Sequence, residues 1–140
     1  MKKTTTAIIL LLSLSLYSQA PKKATTATVK TELSQNESFL SIGKTLLQNG
    51  YEIEYTQKDF GYVKTAVVPD KRWSSIQCSF ELTASEGKIV ITGKFRISTP
   101  GYESDDLSDI VNRGMKKSPA NKAWIRLEEL AALFGKVTYE

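Results

Sequence analysis

Two apolar–polar alternations joined by a four-residue turn constrain this chain more than any other feature. Ile76, Cys78, Phe80 and Leu82 alternate with Ser75, Gln77, Ser79 and Glu81. After Ser85-Glu86-Gly87-Lys88, the residues Ile89, Ile91, Phe95 and Ile97 interleave with Thr92, Lys94 and Arg96. A period of two places successive side chains on opposite faces of a strand, so each run has one apolar and one polar face. The turn between them makes the pair a hairpin, with strands over about residues 73–84 and 89–98. Gly93, in the middle of the second strand, predicts a bulge or a bend.

A sheet with one apolar face needs cover, and two helices are available. Ser34-Gln35-Asn36-Glu37 has the form of a capping box, in which Ser and Glu satisfy two free N–H groups reciprocally. Phe39, Ile42, Leu46 and Leu47 then recur at helical spacing, and Asn49-Gly50 stops the helix. The last helix starts at Ser118 with Pro119 in its first position and closes at Gly135, with Trp124, Leu127, Leu130, Ala131 and Phe134 as its apolar stripe. Tyr51–Tyr55 and Tyr62–Val68 read as two further strands. The connection over 99–117 has room for a short helix at 105–112, built on Leu107, Ile110 and Val111. Residues 136–140 suit a short terminal strand. The expected fold is therefore α+β: a four-stranded antiparallel meander with an N-terminal and a C-terminal helix packed on one face, in the order α-β-β-β-β-α.

The domain organisation is set at the N-terminus. Met1-Lys2-Lys3 followed by the apolar run Ala7–Leu16 reads as a signal peptide over residues 1–20; the run is too short to span a bilayer. Ser18-Gln19-Ala20 fits the small-x-small cleavage pattern, although Pro21 would then follow the cut, and cleavage between Ser18 and Gln19 is the alternative. Residues 21–33, rich in Thr, Ala and Lys, read as a flexible lead-in, and 34–140 as a single domain. The expected location is periplasmic or secreted, and the chain is not expected to be an integral membrane protein. The formal charge is +4; losing Lys2 and Lys3 and no acid leaves 4 − 2 = +2, with mixed signs and no footprint for nucleic acid.

The chemistry of the chain is limited by what it lacks. It contains no histidine among its 140 residues, which excludes Ser-His-Asp and Cys-His catalysis and most zinc and iron sites. Cys78 is the only cysteine, so no internal disulfide forms, and its place in the alternation makes it a core residue. No glycine-rich phosphate loop occurs, and no cofactor is implied. Ser41-Ile42-Gly43-Lys44 matches S-x-x-K without the companion motifs of that enzyme class. Asp105, Asp106 and Asp109, with Glu103 nearby, form an acidic cluster that is a calcium candidate or, alternatively, the charged start of a helix. The same carboxylates opposite Glu52 or Glu54 are a conceivable pair for glycoside hydrolysis. The candidate binding residues are Trp73 and Tyr102, as aromatic anchors, with Lys94 and Arg96 on the polar sheet face.

One stretch has a familiar outline. Leu46-Leu47-Gln48-Asn49-Gly50-Tyr51-Glu52-Ile53, followed by Asp59-Phe60-Gly61-Tyr62-Val63-Lys64-Thr65, resembles the helix-grip-type domains of bacterial envelope lipoproteins such as BamC. It is also similar to small secreted proteins of Bacteroides-like bacteria. The resemblance covers about thirty residues, and the chain departs from it by lacking a lipobox cysteine and a second domain. It implies an envelope-associated binding or scaffold module with no catalytic residues.

The functional expectation is an exported, non-enzymatic interaction or scaffold domain whose partner is a protein or an envelope component. The alternatives are a small apolar-ligand binder, with a pocket between the sheet and the C-terminal helix, and a carboxylate-based hydrolase.

Overall fold

The structure, a computed structural model, describes residues 19–140. The targeting segment expected over residues 1–20 therefore lies outside the described residues, apart from Gln19 and Ala20. Two helices and nine strands are present among the described residues: β1 (Ala27–Lys30), α1 (Gln35–Gln48), β2 (Ile53–Gln57), β3 (Tyr62–Thr65), β4 (Val68–Pro69), β5 (Ile76–Ser85), β6 (Lys88–Thr99), β7 (Tyr102–Glu103), β8 (Ser108–Asp109), α2 (Pro119–Ala132) and β9 (Val137–Tyr139). The class is α+β with an antiparallel sheet, as the alternation required.

The hairpin of β5 and β6 is its spine, paired without interruption from Ile76↔Ile97 to Ser85↔Lys88. The main path of the sheet runs β2-β3-β5-β6-β1-β9, and every pairing is antiparallel. The four expected strands thus lie side by side in their expected order, with the second divided into β3 and β4. The sheet is nevertheless not four-stranded. The short strands β4 and β8 pair with β5 and β6, so eight strands share the sheet, and β7 folds back on the far end of β6.

The largest correction concerns residues 21–33. Ala27–Lys30, within the stretch read as a flexible lead-in, form β1, which lies inside the sheet between β6 and β9. Ala27 and Val29 are fully buried. Two inward residues in a four-residue strand are too few to register as a period in a Thr- and Ala-rich sequence.

The connection over 99–117 is also different from expectation, forming β7 and β8 in place of a helix. Beyond β8, the Ile110 N–H donates to the Gly93 carbonyl at 2.9 Å, and Ile110 is 1% exposed. Gly93 makes no bulge: it pairs in register with Phe80. The one irregularity in the β2–β3 pairing falls between Ile53 and Tyr55.

Both helices begin as their caps dictate. The Glu37 N–H donates to Ser34 Oγ, while Glu37 Oε2 accepts from the Ser34 N–H at 2.9 Å, completing the capping box. Ser118 accepts from the Asn121 N–H at 3.2 Å, and Pro119 occupies the first turn. α1 packs on β5, β3 and β2, and α2 on β6, β1 and β5. Ile42 and Leu46 of α1, Trp124, Leu127 and Leu130 of α2, and Phe80, Leu82 and Ile91 of the sheet share one buried core. The Trp124 ring meets that of Tyr139 at a centroid distance of 5.6 Å, which ties α2 to the terminal strand.

Candidate functional site

Trp73 lies in the loop between β4 and β5, where a charged network joins that loop to α2. Asp70 Oδ1 accepts from the backbone N–H groups of Arg72 and Trp73, each at 2.8 Å. This Asx turn fixes the loop's direction. Asp70 Oδ2 receives Arg126 Nε from α2 at 2.5 Å, and the Asp70 side chain is only 4% exposed. Arg126 Nη1 donates to Glu129 Oε2 at 2.7 Å, and Arg72 Nη2 donates to Glu129 Oε1 at 2.8 Å. Two cations and two anions close on themselves. The Arg72 guanidinium carbon stands 3.9 Å from the Trp73 ring centre, and Lys122 Nζ lies at 5.9 Å. Trp73 is half-buried against the core with Arg72 on its face, an arrangement that fastens the loop to α2 rather than offering a free ring.

A cleft beside this network is lined by Tyr51, Thr65, Asp70, Cys78, Phe80 and Arg126 and holds about 80 Å³. Ligand pockets for drug-sized molecules run roughly 300–1,000 Å³. Only Arg126 of α2 borders the cleft, so it opens at the side of the core and not beneath the C-terminal helix. Burial pushes the Cys78 thiol up to about 12, with the Asp70 carboxylate adding to the shift. The Tyr51 hydroxyl is raised mainly by burial as well, and neither group is prepared for nucleophilic or acid–base work near neutral pH.

The other predicted residues do not gather around Trp73. Lys94 Nζ pairs with Asp109 Oδ1 of β8 at 3.2 Å, and Arg96 Nε donates to Gln77 Oε1 at 2.8 Å. Tyr102, 65% exposed, borders a hollow of about 160 Å³ together with Arg96 and Asp106. On its other side Tyr102 faces an open groove of about 520 Å³ with Ser74, Ser75, Ser98 and Thr99, whose lining carries no charge. The structure thus brings Arg96 and Tyr102 to one hollow, while Lys94, two residues from Arg96 on the same face of β6, borders another with Asp109.

The acidic residues disperse. Asp109 is committed to Lys94, and Asp105 and Asp106 are exposed. Among the described residues, no three carboxylates or thiols converge as a cation site. Glu54, considered for carboxylate chemistry, is bridged to Lys64 at 2.8 Å.

The sequence reading missed a feature of α1. Ser38, Ile42 and Leu46 are its buried side. Leu47, expected in the core, is 64% exposed, and Leu40 is 67% exposed. At about 100° per residue, positions 40 and 47 point opposite to 38, 42 and 46. Gly43 lies between the two leucines, and nothing stands within 4 Å of the place its Cβ would take. The helical angle alone identifies this second stripe; assigning Leu47 to the core concealed it.

No helix among the described residues is long and apolar enough to cross a membrane. Comparison with protein-family models finds none that matches this chain, and a search among curated proteins finds no match either.

Proposed function

We propose that this chain is an exported, non-enzymatic interaction domain that docks on a protein or an envelope component in the periplasm or outside the cell. The observation that carries the reading is the outward stripe of α1. Leu40 and Leu47 are about two-thirds exposed on the side away from the sheet, with Gly43 open between them. A solvated helix face is ordinarily polar, and two leucines flanking a glycine suit close approach of a partner's backbone or apolar side chain. The lack of histidine and the self-closed pairing around Asp70 and Arg126 argue for binding over catalysis. The apolar-ligand reading draws less support, because the cleft beside α2 is small. The hydrolase reading draws less still, because Glu54 and Asp109 are each held by a lysine.

The test is site-directed photo-crosslinking from Lys44, the exposed neighbour of Gly43, in cells exporting the full chain. A discrete adduct that disappears in Leu40→Lys/Leu47→Lys is the expected result. No adduct, or one indifferent to the double substitution, removes α1 as the docking face. Turnover of a substrate by the purified protein would overturn the non-enzymatic reading itself.

A further inference from the structure

We infer that the groove between the Ser74-Ser75 turn and the tip of the β6–β7 hairpin is a binding site for a neutral saccharide, with the Tyr102 ring as its stacking platform. The inference goes beyond the docking reading above, and the groove shares no residue with the Leu40–Leu47 stripe of α1.

Backbone geometry fixes both walls. On one side the hairpin turns through Pro100-Gly101, with Thr99 paired to Tyr102 and Gly101 at φ +83°. Proline followed by a left-handed glycine is the signature of a type II turn. Nothing stands within 4 Å of the place a Cβ on Gly101 would take, so the tip leaves the groove open. On the other side the Ile76 N–H donates to the Trp73 carbonyl at 3.1 Å and closes a turn over Ser74-Ser75. The Ser98 N–H donates to the Ser75 carbonyl at 2.9 Å, which ties one wall to the other. Walls that are already set need little further ordering when a ligand arrives.

The lining selects the ligand. The groove holds about 520 Å³, inside the range of roughly 300–1,000 Å³ typical of small-molecule sites. Ser74, Ser75, Ser98 and Thr99 supply aliphatic hydroxyls, and no charged residue takes part. Each hydroxyl both donates and accepts, as a sugar hydroxyl does, so the two sets can pair in either direction. Of these four, Thr99 alone has an intramolecular partner for its hydroxyl among the described residues, the Tyr102 carbonyl at 3.4 Å. The Tyr102 ring is 65% exposed. It presents an apolar face with a polar tip, and the axial C–H bonds of a pyranose pack on such a face. A phosphate or carboxylate ligand would find no cation in this lining to pair with. Arg96 and Asp106 border the hollow on the other side of Tyr102. A lipid tail would bury hydroxyls without partners, which costs free energy.

The test titrates the isotope-labelled protein, expressed from the full chain, with uncharged tetrasaccharides of glucose, of mannose and of N-acetylglucosamine, and follows the amide NMR signals. The expected result is shifts centred on Ser74, Ser75, Ser98 and Gly101 with at least one of these sugars, unchanged by added salt. Tyr102→Ala should weaken that binding by roughly tenfold or more, the loss expected on truncating an aromatic anchor. Tyr102→Phe keeps the ring and should keep most of the affinity. Both variants should fold, because Tyr102 is largely exposed, and their unchanged signals elsewhere verify it. The inference is overturned if none of the sugars moves these amides, if the moved amides lie elsewhere, or if Tyr102→Ala binds as well as the parent. An acidic tetrasaccharide, or an acetylated and amidated tetra-alanine, that displaces the neutral sugars from the groove also overturns it. Crosslinking from Lys44 bears on the α1 reading alone, so the two proposals fail separately.

Discussion

Ile110 Cδ1 lies 2.8 Å from the point where a Cβ on Gly93 would stand. The glycine is therefore a space-making residue: its missing side chain is the socket for an isoleucine arriving from the strand-like segment after β8. Phe80 Cδ1, at 3.0 Å from the same point, closes the other side. Gly93→Ala should overpack this socket and cost roughly 1–3 kcal/mol. Adding Ile110→Val removes one methyl(ene) group from the contact and should recover part of the loss. Urea midpoints of the two single variants and the double variant test this, and strict additivity would mean that the residues do not compete for one space.

Asp70 performs two tasks that substitution can separate. One carboxylate oxygen caps the loop at Arg72 and Trp73, and the other pairs with Arg126. Asp70→Asn retains a carbonyl for the cap and loses the charge; Asp70→Ala loses both. Breaking a buried pair costs about 3–5 kcal/mol. Arg126 is 27% exposed and keeps Glu129, so Asp70→Ala should fall at or below about 3 kcal/mol after solvent screening, with Asp70→Asn milder. Thermal unfolding of both variants gives the ranking. Equal losses would assign all the stabilisation to the ion pair.

How much of this was legible in the sequence depended on the length of each signal. The β5–β6 hairpin supplied ten paired positions, and both helices carried side-chain caps at their starts, so neighbouring residues alone identified them. β1 was invisible because Ala27 and Val29 are inward only in relation to Ile91 and Ile89, sixty or more residues away. The segment 105–112 failed for a related reason. Leu107, Ile110 and Val111 have helical spacing, but the space left at Gly93 and the open edge of β6 beyond β1 were worth more to Ile110 than a turn of helix. The binding candidates were chosen by residue type, and residue type cannot reveal a partner such as Arg72 over Trp73 or Asp109 beside Lys94.

Cys78 should be chemically silent until the protein unfolds. It is 6% exposed, and burial, with Asp70 next in effect, pushes its thiol up to about 12. Because the thiolate is the reactive form, a disulfide reagent at about pH 8 should label the native protein far more slowly than a model thiol whose pKa is about 8.5. Labelling should accelerate with added urea in step with the unfolded fraction. Rapid stoichiometric labelling in the absence of urea would place Cys78 at a reactive surface.

Two glutamates should move the pH dependence of stability in opposite directions. The Glu37 carboxylate is held below its ordinary 4.5 by the Ser34 hydroxyl and then by the Ser34 backbone N–H. A depressed folded-state pKa contributes stability that is present above 4.5 and disappears as the pH falls through the folded value. Glu128 is raised above 4.5, chiefly by burial, against a lowering hydrogen bond from Trp124. Its ionisation opposes folding, so that penalty is complete above the raised value and vanishes as the pH falls below 4.5. Glu37→Gln should therefore lower the urea midpoint at about pH 7, with the loss shrinking as the pH falls below 4.5 through the lowered folded-state value. Glu128→Gln should raise the midpoint at about pH 7 and lose that gain at about pH 3. Shifts of the same sign in the two variants would show that at least one of the carboxylates does not titrate as its surroundings require.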